Sequence, residues 1–334
     1  MDIEDGRICG RDNMIGRHHL EIENRKVRYI LDIERKVVVI KGNSGTGKTT
    51  LIRMLQGYIA QGNKSGVLVK NFTSIPLMVL DNTTRWELEL AEQTSKIIFV
   101  DEAVDYIYSK DFQEEFTKSP HYLVVISRSG KFNHLPYAIK SIYQFKTEHS
   151  NKIKLTKMYQ IYENDVKQFG SSLIITEDSN SGADMMREIF KTTVKTANGN
   201  SNVVKILKEN IEEEGKIIAV VDGAAFGGFI APLMNVAKLN DNVQIYAPES
   251  FEYMLLQTDS LKRKLEDELE NTWKYCDISK YLTWEQYYTD LIGKICEQEY
   301  NFSYSKAHLH KSFMNESTKN QVKQCLFENG VKEM

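Results

Sequence analysis

The apolar run Val37-Val38-Val39-Ile40 leads through Lys41 straight into Gly42-Asn43-Ser44-Gly45-Thr46-Gly47-Lys48-Thr49. Beyond it, Leu51, Ile52, Leu55 and Ile59 fall on one helical face. A continuous apolar run reads as a strand buried on both faces, as parallel sheets require. The octapeptide fits GxxxxGK[ST], and a strand before with a helix after is the context this pattern needs. Glycines let the backbone wrap a phosphate so that successive N–H groups point inward. The following helix N-terminus adds its positive dipole end. Gly42, Asn43, Ser44, Gly45, Thr46, Gly47, Lys48, Thr49 and Thr50 are therefore expected to hold ATP. Lys48 would reach the β- and γ-phosphates, and the Thr49 hydroxyl would ligate Mg²⁺. A chance glycine-rich turn is the plain alternative, and the Lys-Thr pair behind a buried strand argues against it.

Further strands are expected at Val67–Val69, Leu77–Leu80, Ile97–Val100 and Leu123–Ile126, alternating with helical stretches, which indicates an α/β parallel sheet. Asp101-Glu102 ends the third of these. Asp101 is expected in the Mg²⁺ shell, and Glu102 is expected to orient or deprotonate the attacking water. Ser127-Arg128-Ser129 ends the next strand, where Arg128 could stabilise transition-state charge or be a plain surface arginine. His18–Leu31 reads as one β-hairpin, and Ile142–Phe145 with Ile153–Met158 as another.

The run GNSGTGKTTLIRML with the strand-end Asp-Glu pair resembles additional-strand P-loop ATPases of the ABC or AAA type. The resemblance implies ATP binding and hydrolysis with Mg²⁺. No LSGGQ-type signature and no NKxD guanine-reading motif is present in the sequence.

The polar stretch Glu163–Gly170 reads as a boundary. It divides the chain into a P-loop ATPase domain at 1–165 and a second α/β domain with C-terminal helices at 170–334, each expected to fold on its own. In the second domain, Leu173–Thr176, Ile217–Val221 and Val243–Tyr246 read as strands, followed by Glu177, Asp222 and Glu249 respectively. In open α/β sheets ligands collect at the carboxyl ends of strands. The three carboxylates are thus expected to converge and bind Mg²⁺, which prefers hard oxygen ligands. The alternative is that each acid caps the helix that follows it.

The segments LIITED (Glu177), IIAVVDGA (Asp222) and IYAPESFEYMLL (Glu249, Glu252) resemble TOPRIM-like domains found with ATPases in bacterial anti-phage systems. The resemblance implies a Mg²⁺-dependent nucleic-acid or defence effector. Two positions depart from the family pattern: Asp178 stands where a glycine is usual, and Ala224 where a second acid is usual.

The net charge of −3 over 334 residues excludes a global basic field for non-specific nucleic-acid binding. Cys9, Cys276, Cys296 and Cys325 form no CxxC pair, which points to a reducing compartment. The acidic N-terminus and the lack of a long apolar run lead to the expectation of a cytoplasmic protein without membrane contact. Partners compatible with this reading are ATP, a nucleic acid or a protein, and further copies in a homo-oligomer. Three functions stay open: an ATPase coupled to a TOPRIM-like effector, a nucleotide-switched sensor with a degenerate TOPRIM-like domain, and a small-molecule kinase. Glu102 argues against the kinase.

Overall fold

The computed structural model describes residues 16–334 apart from 43–44, 74, 129–131, 133, 151–152, 169, 213–214 and 300–302. Cys9, Asn43, Ser44 and Ser129 therefore lie outside the described residues. The N-terminal half contains β1 (His18–Glu23), β2 (Val27–Ile33), β3 (Val37–Lys41), α1 (Lys48–Gln61), β4 (Leu68–Asn71), β5 (Leu77–Leu80), α2 (Trp86–Ala91), β6 (Ile97–Asp101), α3 (Lys110–Lys118), β7 (Tyr122–Ser127), β8 (Ile142–Ser150) and β9 (Ile153–Gln160).

These strands form one nine-stranded mixed sheet in the order β4-β1-β2-β9-β8-β3-β7-β6-β5. Its two edge strands, β4 and β5, are joined only by residues 72–76. Such a connection spans about 20 Å at most, so the sheet has to curl until its edges approach. α1 fills the concave side. Leu51, Ile52 and Leu55 pack there against Leu20, Leu31, Ile40, Phe99 and Val124. Each such buried aliphatic side chain contributes about 1.5–3 kcal/mol. β1 and β2 alternate buried and half-buried residues because only one face is covered. Val37–Ile40 of β3 and Ile97–Val100 of β6 are buried throughout because both faces are covered. β7 lies between β3 and β6, parallel to both. This order brings the ends of β3, β7 and β6 to one carboxyl edge.

The C-terminal half contains β10 (Tyr162–Asn164), β11 (Leu173–Thr176), α4 (Ser181–Phe190), β12 (Thr193–Thr196), α5 (Asn200–Asn210), β13 (Ile217–Val220), α6 (Ile230–Lys238), β14 (Val243–Tyr246), α7 (Phe251–Leu256), α8 (Asp259–Glu270), α9 (Trp284–Glu299), α10 (Glu316–Glu328) and β15 (Val331–Glu333). Its four-stranded sheet is wholly parallel, in the order β12-β11-β13-β14. The chain leaves β11 for one side and returns to the other at β13, so the switch point lies between these two strands. Ile174, Ile218 and Val220 face the helical layer of α4 and α7–α10.

The opposite face, with Ile175, Ile217 and Ala219, belongs to an apolar cluster that runs on through Phe226, Tyr137, Leu135 and Phe132 to Val39 and Val125 of the N-terminal sheet. The two halves thus share one core. The segment expected to be a boundary is not a free linker. β10 pairs antiparallel with β15, and the Asp165 and Lys167 N–H groups donate to Gly330 O and Phe327 O at 2.6 and 3.2 Å. Its polar side chains hid this, because backbone pairing at a sheet edge leaves little apolar signature.

The seam is tight. Tyr137 and Phe226 form a parallel bridge, and the Gly227 N–H donates to Tyr137 O at 2.8 Å. A Cβ on Gly227 would meet the Tyr137 ring at 2.4 Å and its carbonyl oxygen at 2.6 Å. Gly227→Ala should therefore cost about 1–3 kcal/mol through overpacking. Urea unfolding followed at Trp86 in one half and at Trp273 and Trp284 in the other should show one shared transition at a lowered midpoint. Two separate transitions in the wild type would refute the shared core.

Candidate functional site

The turn after β3 carries Gly45 and Gly47 at φ of 87° and 88°, a left-handed conformation that favours glycine. It delivers Lys48 to the first position of α1, where the side chain is 8% exposed. The Lys48 ammonium donates to Gly42 O and, at 3.1 Å, to Thr46 Oγ1. Burial lowers its pKa, against the opposing pull of Glu102 and Asp101. Thr49 and Thr50 follow on exposed positions of the first turn.

Asp101 ends β6, and its carboxylate accepts the Ala103 N–H at 3.0 Å. Glu102 is gripped twice by Arg128, which follows β7. The Arg128 Nε–H reaches Glu102 Oε1 at 2.7 Å, and the Arg128 backbone N–H donates to Oε2 at 2.6 Å. The Arg128 side chain is otherwise largely exposed. Lys48, Asp101, Glu102 and Arg128, far apart in sequence, thus form one electrostatic group at the carboxyl edge. The sequence reading missed Asn82. Its side chain donates to Ala103 O and accepts the Asp105 N–H, both at 3.1 Å, and so fixes the loop behind Asp101-Glu102. A polar turn at the end of β5 was the available signal.

A second group forms at the switch point of the C-terminal sheet. Glu177 and Asp222 follow β11 and β13, and the Asp222 N–H donates to Glu177 Oε2 at 3.1 Å. Burial pushes Glu177 up to about 7, with Glu285 and Asp178 adding to the rise. Burial also raises Asp222 well above the usual range, helped by Glu285, Glu177, Glu252 and Asp178. A small cavity lined by Glu177, Asp178, Asp222, Met186, Phe251 and Met254 lies beside them. Lys306 answers this negative charge from the C-terminal segment, 2.7 Å from Glu285 and 3.8 Å from Glu252. Tyr304 donates to Glu252 at 2.9 Å. Asp178 adjoins Glu177 in the sequence, whereas Glu285 and Lys306 carried no pattern at the sequence level that would place them in this group.

Glu249 does not join these acids. Its main chain does reach them, since Glu249 O accepts the Ala224 N–H at 3.0 Å. Its carboxylate instead turns to the N-terminal half and takes both Arg35 Nη groups at 3.0 and 2.8 Å, with Lys140 at 3.4 Å. The Arg35 guanidinium lies 3.5 Å from the Trp284 ring centroid. The expected convergence of three carboxylates is therefore reduced to Glu177 and Asp222. Among the described residues no group of three or more His, Cys, Asp or Glu side chains is placed to hold a metal ion.

Residues 23–166 match the family described as novel STAND NTPase 3. No curated protein matches the chain. The match supports an NTPase domain in the N-terminal half, the half that carries the group around Lys48. Among the described residues no helix is long and apolar enough to cross a membrane.

The Glu249 pairing makes a stability prediction. Burial alone would raise its pKa, but Arg35 and Lys140 outweigh burial and hold it at about 2, against an ordinary 4.5. A depressed carboxyl stabilises the fold above its unfolded pKa and loses that contribution as pH falls through the folded value. At about 1.4 kcal/mol per pH unit this is roughly 3 kcal/mol, lost between about pH 5 and pH 2. Arg35→Met should cost up to about 3–5 kcal/mol at neutral pH by leaving the buried Glu249 with Lys140 as its one counter-charge among the described residues. Adding Glu249→Leu should recover most of that loss and flatten this part of the acid titration of stability. If the double variant were no more stable than Arg35→Met, the pair would not be the cause.

Proposed function

We propose that the chain is an ATPase whose nucleotide state is coupled to a TOPRIM-like effector in its C-terminal half. The observation that carries the first part is the meeting of Lys48, Asp101, Glu102 and Arg128 at the carboxyl edge of β3, β7 and β6. Lys48 and the turn amides would hold the phosphates. Thr49 and Asp101, a hydroxyl and a hard carboxylate, suit Mg²⁺, which would neutralise charge on the β- and γ-phosphates. Glu102 would orient the attacking water. Its two oxygens are engaged by Arg128, so the γ-phosphate, by drawing Arg128 to itself, would free Glu102 for that task.

Chain contacts support the coupling. Arg35 stands just before β3 and grips Glu249. Pro248 O and Glu249 O accept the N–H groups of Gly223 and Ala224, next to Asp222. These contacts would carry movement at the base of β3 to the acid pair. The raised Glu177 and Asp222 carboxyls favour a divalent-cation site, since a cation would relieve their repulsion. Their hard oxygens suit Mg²⁺, and no hydrogen bond to the Asp222 carboxylate forms among the described residues. Lys306 is a competing counter-charge in the same group. It supports the second reading, a degenerate effector used as a nucleotide-switched interaction platform.

Lys48→Ala should weaken ATP binding, because Lys48 acts on the bound phosphates. Glu102→Gln should keep binding while turnover falls by roughly 10²-fold or more. Equal loss of binding in both variants, measured by calorimetry, would remove the role given to Glu102.

A separate measurement decides between the two readings of the C-terminal half. Millimolar Mg²⁺ or Mn²⁺ without nucleotide should raise the melting temperature of the wild type by mass action. Asp222→Asn should abolish that shift and leave ATP binding intact. No shift in the wild type would favour the interaction platform.

A further inference from the structure

We infer that Tyr29 is a positioning residue for nucleotide binding, because its hydroxyl fixes the peptide joining Gly47 to Lys48 and so sets the direction of the Lys48 N–H. The inference rests on the ATPase reading and adds to it a residue outside the octapeptide. Tyr29 lies on β2, which β9 and β8 separate from β3. The curl of the sheet carries it back under the phosphate turn. Its side chain is 1% exposed and packs against Phe145, with ring centroids 5.5 Å apart.

The Tyr29 hydroxyl donates to Gly47 O at 2.8 Å. The same oxygen accepts the Leu51 N–H at 3.0 Å, a bond of the first turn of α1. Two donors on one carbonyl resist rotation of its peptide plane. In a trans peptide the C=O and N–H point to opposite sides. With the Gly47 carbonyl held by Tyr29 and Leu51, the Lys48 N–H points the opposite way, where it would meet a phosphate.

Gly47 and Tyr29 fit each other closely. Gly47 has φ of 88°, and a Cβ there would come within 2.6 Å of the Tyr29 hydroxyl. Burial pushes the phenol up to about 12, so it remains a neutral donor at neutral pH. A role in the core alone would need only the ring. A buried hydroxyl costs desolvation unless it is bonded, and here its donor bond goes to the turn.

The test compares Tyr29→Phe, Lys48→Ala and the wild-type full-length chain. It measures melting temperature without nucleotide, calorimetric binding of Mg·ATP, Mg·ADP and AMP, and steady-state ATPase kinetics. Tyr29→Phe should melt within a few degrees of the wild type. It should bind Mg·ATP and Mg·ADP roughly tenfold more weakly, the scale of one hydrogen bond. AMP, which lacks the β-phosphate, should bind as before. KM should rise while kcat stays within about threefold, the pattern of lost uniform binding. Replacement of Tyr29 by 4-aminophenylalanine, which restores a donor, should recover most of the affinity.

Unchanged Mg·ADP affinity in Tyr29→Phe, with Lys48→Ala impaired, would overturn the inference and spare the ATPase reading. Equal weakening of AMP and ADP, or unfolding of Tyr29→Phe, would also overturn it, because the hydroxyl would then serve the fold. Unimpaired binding in Lys48→Ala would instead overturn the ATPase reading, and this inference with it.

Discussion

A carboxylate as deeply buried as Glu249 stays ionised only if something replaces the water it has lost. Arg35 does so with two hydrogen bonds, Lys140 adds a second positive charge, and Trp284 covers the guanidinium. The partners come from both halves of the chain, so neither half can satisfy this charge alone. The same seam includes the apolar run through Tyr137 and Phe226. Hydrophobic contact could tolerate some sliding along that seam, but a bidentate ion pair has one geometry. The pair therefore fixes how the two sheets meet.

That registration has a consequence at both ends. Arg35 stands before β3, whose far end opens into the phosphate turn. Glu249 stands beside the Gly223–Ala224 backbone that positions Asp222. The Ile139 N–H adds a direct bond across the seam to Gly223 O at 2.8 Å. The two charged groups are thus connected through one strand and one buried pair.

Much of this architecture was legible in the sequence, for reasons that differ from element to element. β3, β6 and β7 announce themselves because strands buried on both faces must be apolar throughout. The phosphate turn is legible because its backbone geometry demands glycine at fixed positions. Of the residues named there from the sequence, those described lie on that turn, on the first turn of α1 or at the carboxyl edge beside it. The C-terminal acids were only partly legible. Position after a strand places Glu177, Asp222 and Glu249 at one sheet edge, but it does not say which way a side chain turns, and Glu249 turned to Arg35. Tyr29, Asn82 and Lys306 act through contacts made by distant parts of the chain. Short edge strands were missed or misread for a related reason. β12 alternates exposed and half-buried residues and includes Lys195, while β10 and β15 hold together mainly through backbone bonds.

The two charged groups differ in balance, and that difference bears on what each can bind. At the phosphate turn, Lys48 and Arg128 face Asp101 and Glu102, two cations against two anions. A polyanion entering with its own divalent cation would meet two cations, Lys48 and Arg128, that can exchange partners with it. At the switch point, Glu177, Asp178, Asp222, Glu252 and Glu285 face Lys306. Burial and this excess of negative charge both favour the protonated forms of Glu177, Asp178, Asp222 and Glu252. Between about pH 4.5 and 7 the folded chain holds more proton at Glu177 than the unfolded chain, so this group's contribution to stability falls as pH rises through that window. The strain is largest when the carboxyls are ionised, and it can be relieved by protons or by a cation, not by an anion. Under the proposed ATPase reading, an anionic nucleotide would suit the first group and not the second, and the two groups stand at the carboxyl edges of two separate sheets.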